Sequence, residues 1–295
     1  MTQTGINLFG LWDWFGGDLV PVLDLCRIAD ETGVHQVGLA EHVTMGERTD
    51  QYPYGHYPVG LDIPWYEPVA MLSAIAGGTK RIRLTTGVMI TPLRPVVILA
   101  KQFATLHFLS RGRFDIGWGV GWQEAEYTSN NMPYEARFAV LDEQIRACRV
   151  IWHEAPASFH GKHIHFDRIH TYPQLPRDAT LGMWFGLTEK PKNIQRIAEF
   201  GDGWIPMTND PEQLARAIDQ IKEAMVKKGR DPSKLGVRAS PTPAFGADGI
   251  ANFEQTMESV PALLKAGVTQ IDITPRFFCK GPEGFADVMK KLASI

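Results

Sequence analysis

The feature that most constrains this chain is an alternation running its whole length: short β-rich stretches separated by helical patterns, with no Ser/Gly-rich linker between them. Strand-like runs fall at residues 5–9, 36–40, 82–90, 114–119, 182–186, 203–207, 236–242 and 269–274. Helical patterns occupy 18–32, 65–77, 95–109, 134–153, 191–200, 211–228, 253–266 and 282–293. Eight strand–helix units in 295 residues fit a closed parallel (β/α)8 barrel, the TIM barrel, better than a doubly wound sheet. The expectation is a single α/β domain over 1–295, with long loops and a small hairpin insertion. Two connections are long. Residues 43–64, rich in Tyr, Pro and Gly, follow a strand and are expected over the catalytic face, because barrel sites are built by the loops after the strands. Residues 155–180 follow a helix and belong at the bottom or side, where SFHGKHIHF reads as a hairpin strand.

Charge and composition exclude several partners. A formal net charge of -3, with no block of like charge, offers no field for nucleic acid or anionic lipid. No apolar run reaches the roughly 18 residues of a membrane span, and MTQTGINLFG lacks the pattern of a secretory signal, so a cytoplasmic location is expected. Cys26, Cys148 and Cys279 are odd in number, far apart and set among apolar residues, which reads as reduced core thiols and not as a disulfide frame or a metal site.

The stretch RFDIGWGVGW, residues 113–122, carries three glycines spaced by two at a strand end. It does not fit a dinucleotide fingerprint. Counted from Gly117 the last glycine of G-x-G-x-x-G would fall on Trp122, and counted from Gly119 on Glu124, well before the next helical pattern. At the end of the fourth barrel strand, glycines would let a flat ligand approach the backbone, or would make room for Trp118 and Trp122. The third strand has a similar oddity: in RIRLTTGVMITP, Gly87 interrupts a β-branched run, which suggests a bulge or a close ligand approach. At the end of the second strand, GLAEHV presents Glu41 and His42. A histidine there suits proton relay or a hydrogen bond to a cofactor, or else a bond within the barrel wall.

Together the runs EPVAMLSAIAGGTKRIRLTTGVMI, LAKQFATLHFLSRGRFDIGWGVGWQEAEY, RFAVLDE and AEFGDGWIP resemble the luciferase-like monooxygenase superfamily, most closely its branch of oxidoreductases that use the deazaflavin coenzyme F420. The resemblance covers most of residues 24–206 and is strongest over 67–143. It implies a TIM barrel binding F420 or FMN at the strand C-termini, with the ring backed by a bulge on strand three. A non-prolyl cis peptide at Gly87-Val88 or its neighbour is part of that expectation. Carried over by position, His42 matches the histidine near the reactive ring, Thr86, Gly87 and Val88 match the bulge, and Gly119, Val120 and Gly121 match the segment flanking the cofactor. Where many relatives carry a Gly-Gly phosphate turn after strand five, this chain reads MWFGLTEKPKNI, leaving Gly186 and Thr188 as the candidate phosphate contacts near a helix N-terminus. The carboxylate that sugar-phosphate dehydrogenases of the branch place after the strand-four glycines is here Trp122, which argues against that substrate class.

Other candidates are weaker. His160, His163, His165 and His170 invite a metal, with His163 and His165 on one face by alternation, but no further ligand completes a site. Glu124 and Glu126 could serve as paired catalytic acids, but two residues apart after a strand they read rather as a solvated or capping arrangement, and Arg137 and Asp142 as residues positioning the helix after strand four or an adjacent loop. Trp12, Trp14 and Phe15 follow strand one on the catalytic face and, with Trp122, are candidates for the wall of an apolar substrate pocket. The expected function is hydride transfer between F420 and an apolar or aromatic small organic substrate. The alternatives are an FMN monooxygenase supplied by a flavin reductase, and a flavin-binding protein without turnover. A homo-oligomer is left open.

Overall fold

A computed structural model describes residues 2–179 and 181–295. Eight strands form the frame: β1 (Gln3–Asn7), β2 (Gln36–Leu39), β3 (Arg83–Thr86, resuming as Met89–Ile90), β4 (Phe114–Gly119), β5 (Gly182–Phe185), β6 (Gly203–Trp204), β7 (Gly236–Ala239) and β8 (Gln270–Ile273). Each pairs in parallel with its sequence neighbour, and β8 pairs with β1, so the sheet closes into the TIM barrel. The outer helices are α1 (Val20–Thr32), α2 (Pro68–Gly78), α3 (Val96–Leu109), α4 (Arg137–His153), α5 (Pro191–Phe200), α6 (Pro211–Lys227), α7 (Phe253–Met257 and Val260–Lys265) and α8 (Phe285–Ala293).

Proline accounts for several boundaries. β6 and β7 end before Pro206 and Pro241, which have no N–H to give a ladder. The helical pattern 253–266 breaks in two because Pro261 sits in the first turn of its second piece, where a missing N–H is harmless. One short helix, Glu124–Ser129, has no counterpart in the sequence pattern. The hairpin is present as Ala157–His160 antiparallel to His165–Ile169. It lies along the side of α4, where the Glu143 carboxylate accepts N–H bonds from Lys162, His163 and Ile164 at 2.9, 2.8 and 2.8 Å. Thr180, at the end of that connection, lies outside the described residues. Among the described residues no helix is long and apolar enough to cross a membrane.

Strand alternation sorts the barrel wall. Val37, Leu84, Phe114, Ile116, Phe185, Val237 and Ile271 are buried against the helices. Their neighbours along the strands, Gln36, Arg83, Asp115, Trp184, Arg238, Gln270 and Asp272, fill the interior. Arg83 meets Asp115 at 2.7 and 2.6 Å, Arg238 meets Asp272 at 2.8 Å, and Gln36 bridges Asp115 to Gln270 at 2.9 Å on each side. The barrel centre is therefore a hydrogen-bonded polar plug, with apolar packing outside it.

Candidate active site

At the C-terminal face of the strands a cavity of about 910 Å³ opens between the strand ends and two loops. That is the upper part of the roughly 300–1,000 Å³ range of small-molecule sites. The long connection 43–64 covers it, contributing Gln51, Tyr52, Pro53 and Tyr54.

The floor is built by an extra residue in β3. From Thr85 to Met89 is four steps, while their partners Asp115 and Trp118 on β4 are three apart, so one residue is squeezed out of the ladder. The Gly87-Val88 peptide within this bulge is cis. Thr86 is tied to β4 by reciprocal bonds with Gly117, Oγ1 accepting from N–H at 2.8 Å and donating to the carbonyl at 3.0 Å, and the Gly87 N–H donates to Leu39 at 2.8 Å. The Val88 side chain then points at neighbouring strands. A Cβ on Gly119 would come within 2.5 Å of it, on Gly186 within 2.6 Å and on Gly117 within 3.2 Å.

This corrects the expected use of the glycines. Gly119 makes room for the chain's own Val88 and Gly117 for the Thr86 carbonyl, which a Cβ would overlap, not for a ligand or for the tryptophans; Thr86 and Gly119 lie beneath the floor and do not line the cavity. Trp118 points outward, edge-on to Phe103 at 5.7 Å. Gly87 itself faces open space, since a Cβ there would find nothing nearer than 4.0 Å. Gly87, Val88, Val120, Gly121, Gly186 and Thr188 all line the cavity, and Gly121 adopts φ 60°, where glycine is at ease.

The bulge is braced from β2. Glu41 accepts the Ile90 N–H at 2.9 Å and two bonds from Arg94, at 3.0 and 2.5 Å. Burial pushes the Glu41 carboxyl above its ordinary range even though Arg94 works against the shift. His42, one residue on, lines the cavity with Trp65 and Trp122 edge-on at 4.9 and 6.2 Å. Its Nδ1 lies 3.2 Å from Oε2 of Glu126, whose Oε1 accepts the Val43 N–H at 2.5 Å. Glu126 is fully buried, so it is neither a solvated nor a capping residue. Sequence reasoning raised it as a paired acid and ranked the solvated reading above that; the signal present was a carboxylate on the connection after β4, the face where barrel chemistry sits.

The aromatic run after β1 is also placed differently from expectation. Gly10 turns the chain into the left-handed region and Leu11–Phe15 forms a 3-10 turn. Trp12 packs edge-on against Tyr66 at 5.0 Å and Trp14 against Phe285 at 6.5 Å, and with Phe15 they stay outside the cavity lining. Trp122 does line the cavity as expected, and the rest of the aromatic wall is Tyr52, Tyr54, Trp65, Tyr134 and Phe138.

On the α5 side the lining is cationic. Arg137, Lys190, Lys192 and Arg196 border the cavity; Arg196 is clamped by Asp142, while among the described residues the other three have no carboxylate within ion-pair distance. Arg137 stacks over Tyr134 at 3.8 Å, and its buried Nε has no partner among the described residues. Arg137 thus belongs to the cavity, and Asp142 ties α4 to α5. The histidine cluster does not converge: His160 and His165 face each other across the hairpin at 3.2 Å, His163 lies in its turn, and no metal-binding group occurs among the described residues. The three cysteines are buried and free, with burial pushing the Cys26 thiol up to about 12 and Cys279 up to about 11.

Comparison with known proteins places this geometry. A family model described as luciferase-like monooxygenase matches residues 12–269. An uncharacterized protein of Mycobacterium tuberculosis is 30% identical over 206 residues, spanning 69% of this chain and 70% of that protein. Monooxygenase RslO1 from Streptomyces bottropensis aligns with a TM-score of 0.78 at 21% identity, over 99% of this chain and 98% of that one. An F420-dependent secondary alcohol dehydrogenase bound to an F420-acetone adduct aligns at 0.76 and 17% identity, over 99% and 98%. The oxygenating constituent of 3,6-diketocamphane monooxygenase from Pseudomonas putida, in complex with FMN, aligns at 0.75 and 14% identity, over 100% and 98%. At these identities the structural likenesses bear on the barrel alone.

Proposed function

The chain belongs to the luciferase-like monooxygenase family, a family of oxidoreductases, and from that premise we propose that it transfers hydride between coenzyme F420 and an apolar or aromatic small organic molecule. The observation that carries the reading is a juxtaposition across one cavity: an open backbone floor at Gly87 and, at its edge, an imidazole held by a buried carboxylate. A planar ring fits that floor because no side chain stands on Gly87, and an anionic tail fits the free cations Arg137, Lys190 and Lys192. When bound, the deazaflavin supplies a two-electron hydride acceptor or donor, so a substrate oxidised or reduced at carbon and oxygen must also lose or gain one proton in the same turnover.

The chain's own residues handle the rest. His42 is the group placed to take or return that proton, and the surrounding Trp65, Trp122, Tyr52 and Phe138 exclude water and receive an apolar substrate. Gly186 and Thr188 border the cationic side and would meet the tail. The same rim favours a second reading, FMN used with oxygen and supplied by a reductase, since a phosphate would meet the same cations. We take residues 1–295 as one domain, on the support of a principal core cluster reaching from Ile6 to Leu292, and place the activity in the cytoplasm on the support of three free buried thiols.

Spectral titration of the purified protein with F420 and with FMN tests the assignment. We expect F420 to bind at about 1 μM or tighter, roughly -8 kcal/mol, and FMN more weakly; tight FMN binding without F420 binding reverses the ranking. Gly87→Val places a branched side chain in the open floor and is expected to weaken F420 by about 100-fold or more, roughly 2.7 kcal/mol, with an unchanged circular dichroism spectrum. Unaltered affinity in that folded variant would remove the bulge from the site.

A further inference from the structure

We propose that Glu126 is a positioning residue that holds His42 in its Nδ1–H tautomer and leaves Nε2 as the proton acceptor facing the cavity. The proposal rests on the reading of His42 given above, and deepens it.

Glu126 lies on the short helix that follows β4, with no solvent exposure. Removing an ionised carboxylate from water without partners costs several kcal/mol, so a buried one is normally paired or hydrogen-bonded. Among the described residues no lysine or arginine reaches Glu126. Its two partners are the Val43 N–H and the His42 ring, both from the stretch just beyond β2. The short helix is locked in turn, because Asn130 Nδ2 and Ser129 Oγ both donate to the Glu126 carbonyl, at 2.8 and 3.2 Å. The carboxylate position is therefore fixed from one side and the imidazole from the other.

An ionised carboxylate has only acceptors. With Oε1 occupied by the Val43 N–H, Oε2 at 3.2 Å from Nδ1 selects the neutral ring that carries its hydrogen on Nδ1. Nε2 is then the lone-pair nitrogen. Trp65 and Trp122, edge-on to the ring, restrain it from turning over. When Nε2 takes a proton, the imidazolium forms against a carboxylate that is already in place, so little reorganisation accompanies the transfer.

A merely structural role is also available to Glu126, as the anchor of the chain at Val43, and the Glu126→Gln variant separates the two. The amide oxygen can keep the Val43 bond, but the amide nitrogen then offers hydrogen to Nδ1 and favours the opposite tautomer.

The test is ring 15N correlation spectroscopy of the full chain labelled at histidine, without cofactor, on the parent, Glu126→Gln and Glu126→Asp, with His42→Gln to assign the resonance. Turnover is read in parallel with reduced F420 and the fastest member of a panel of alkyl and aryl ketones. We expect the Nδ1–H form in the parent, the Nε2–H form in Glu126→Gln, and a fall in kcat of about 100- to 10,000-fold, the range of a misdirected acid–base group. Glu126→Asp, which keeps the acceptor, should restore the tautomer and part of kcat, and F420 affinity should change by less than about threefold in both. An Nε2–H parent, or the same tautomer in parent and Glu126→Gln, overturns the proposal. A tautomer that switches while kcat holds supports the Glu126–His42 coupling and overturns the proton role of His42 itself.

Discussion

In the lower half of the barrel Arg83 meets both oxygens of Asp115, Gln36 and Gln270 bridge onward to Asp272, and Arg238 closes the network. A cavity of about 750 Å³ borders this end, not much smaller than the one of about 910 Å³ above. At the upper mouth the charges are disposed differently: Arg137, Lys190 and Lys192 face the cavity without a carboxylate partner among the described residues, and the buried Trp122 Nε1 lacks an acceptor there. Cavity size does not separate the two ends. What separates them is that the barrel-interior charges Arg83, Asp115, Arg238 and Asp272 below satisfy one another, whereas Arg137, Lys190 and Lys192 above are held open toward whatever enters.

If that contrast is sound, substitutions at the two ends should dissociate function from stability. His42→Ala carries the largest expected effect, a loss of about two to four powers of ten in turnover, with a smaller fall in thermal midpoint, because buried Glu126 loses one partner but keeps the Val43 N–H. Single-turnover hydride transfer at saturating F420 reads the rate, and calorimetry reads the midpoint. Equal rates would leave His42 a wall residue.

Asp115→Ala is the converse. It removes the partner of Arg83 inside the barrel, and breaking such a pair costs about 3 kcal/mol, the low end of the usual range because Arg83 keeps some contact with solvent. Urea unfolding should show this loss, while the surviving folded protein binds F420 within about twofold of the parent. A variant of Asp115 that unfolds normally but no longer binds would erase the distinction between the ends.

The same contrast explains what the sequence disclosed. Eight strand–helix units are a matter of local period, and period survives in the primary structure; the hairpin and the loop over the cavity followed from length and position. The glycine spacing was visible too, but its cause was not. Gly119 on β4 and Gly186 just past β5 yield space to Val88, and Gly117 to the Thr86 carbonyl, all within the β3 bulge, a relation that exists only once the register is set. The burial of Glu126 was opaque for a similar reason: it depends on a short helix folding back beneath residue 43. Trp12, Trp14 and Phe15 were assigned to the pocket by their place after β1, but the left-handed turn at Gly10 redirects them to Tyr66 and α8. Position along the barrel was legible, and side-chain direction after a turn was not.

The smallest expected effect belongs to Asp30 in α1, at the entry to β3, and it sharpens the contrast through pH. Its carboxylate accepts the N–H groups of Lys80, Arg81 and Ile82 at 2.8, 2.8 and 2.7 Å. Burial pushes the Asp30 carboxyl up, but the three donors and the nearby Arg81 charge together outweigh it and hold the group below the ordinary aspartate range. A depressed folded value means stability that is fully present above the unfolded value near 3.9 and is lost as pH falls through the folded one. Asp30→Asn cannot satisfy all three donors, since one side of the amide is itself a donor, and should lower stability at pH 7 by about 1–2 kcal/mol. As pH drops below about 4 the parent loses its carboxylate contribution and the gap between the two urea midpoints should narrow. F420 affinity at pH 7 should be the same in both proteins, because the upper cavity takes nothing from this corner. A gap that stays constant down to acid pH would show that the three N–H bonds, and not the charge they surround, fix the β3 entry.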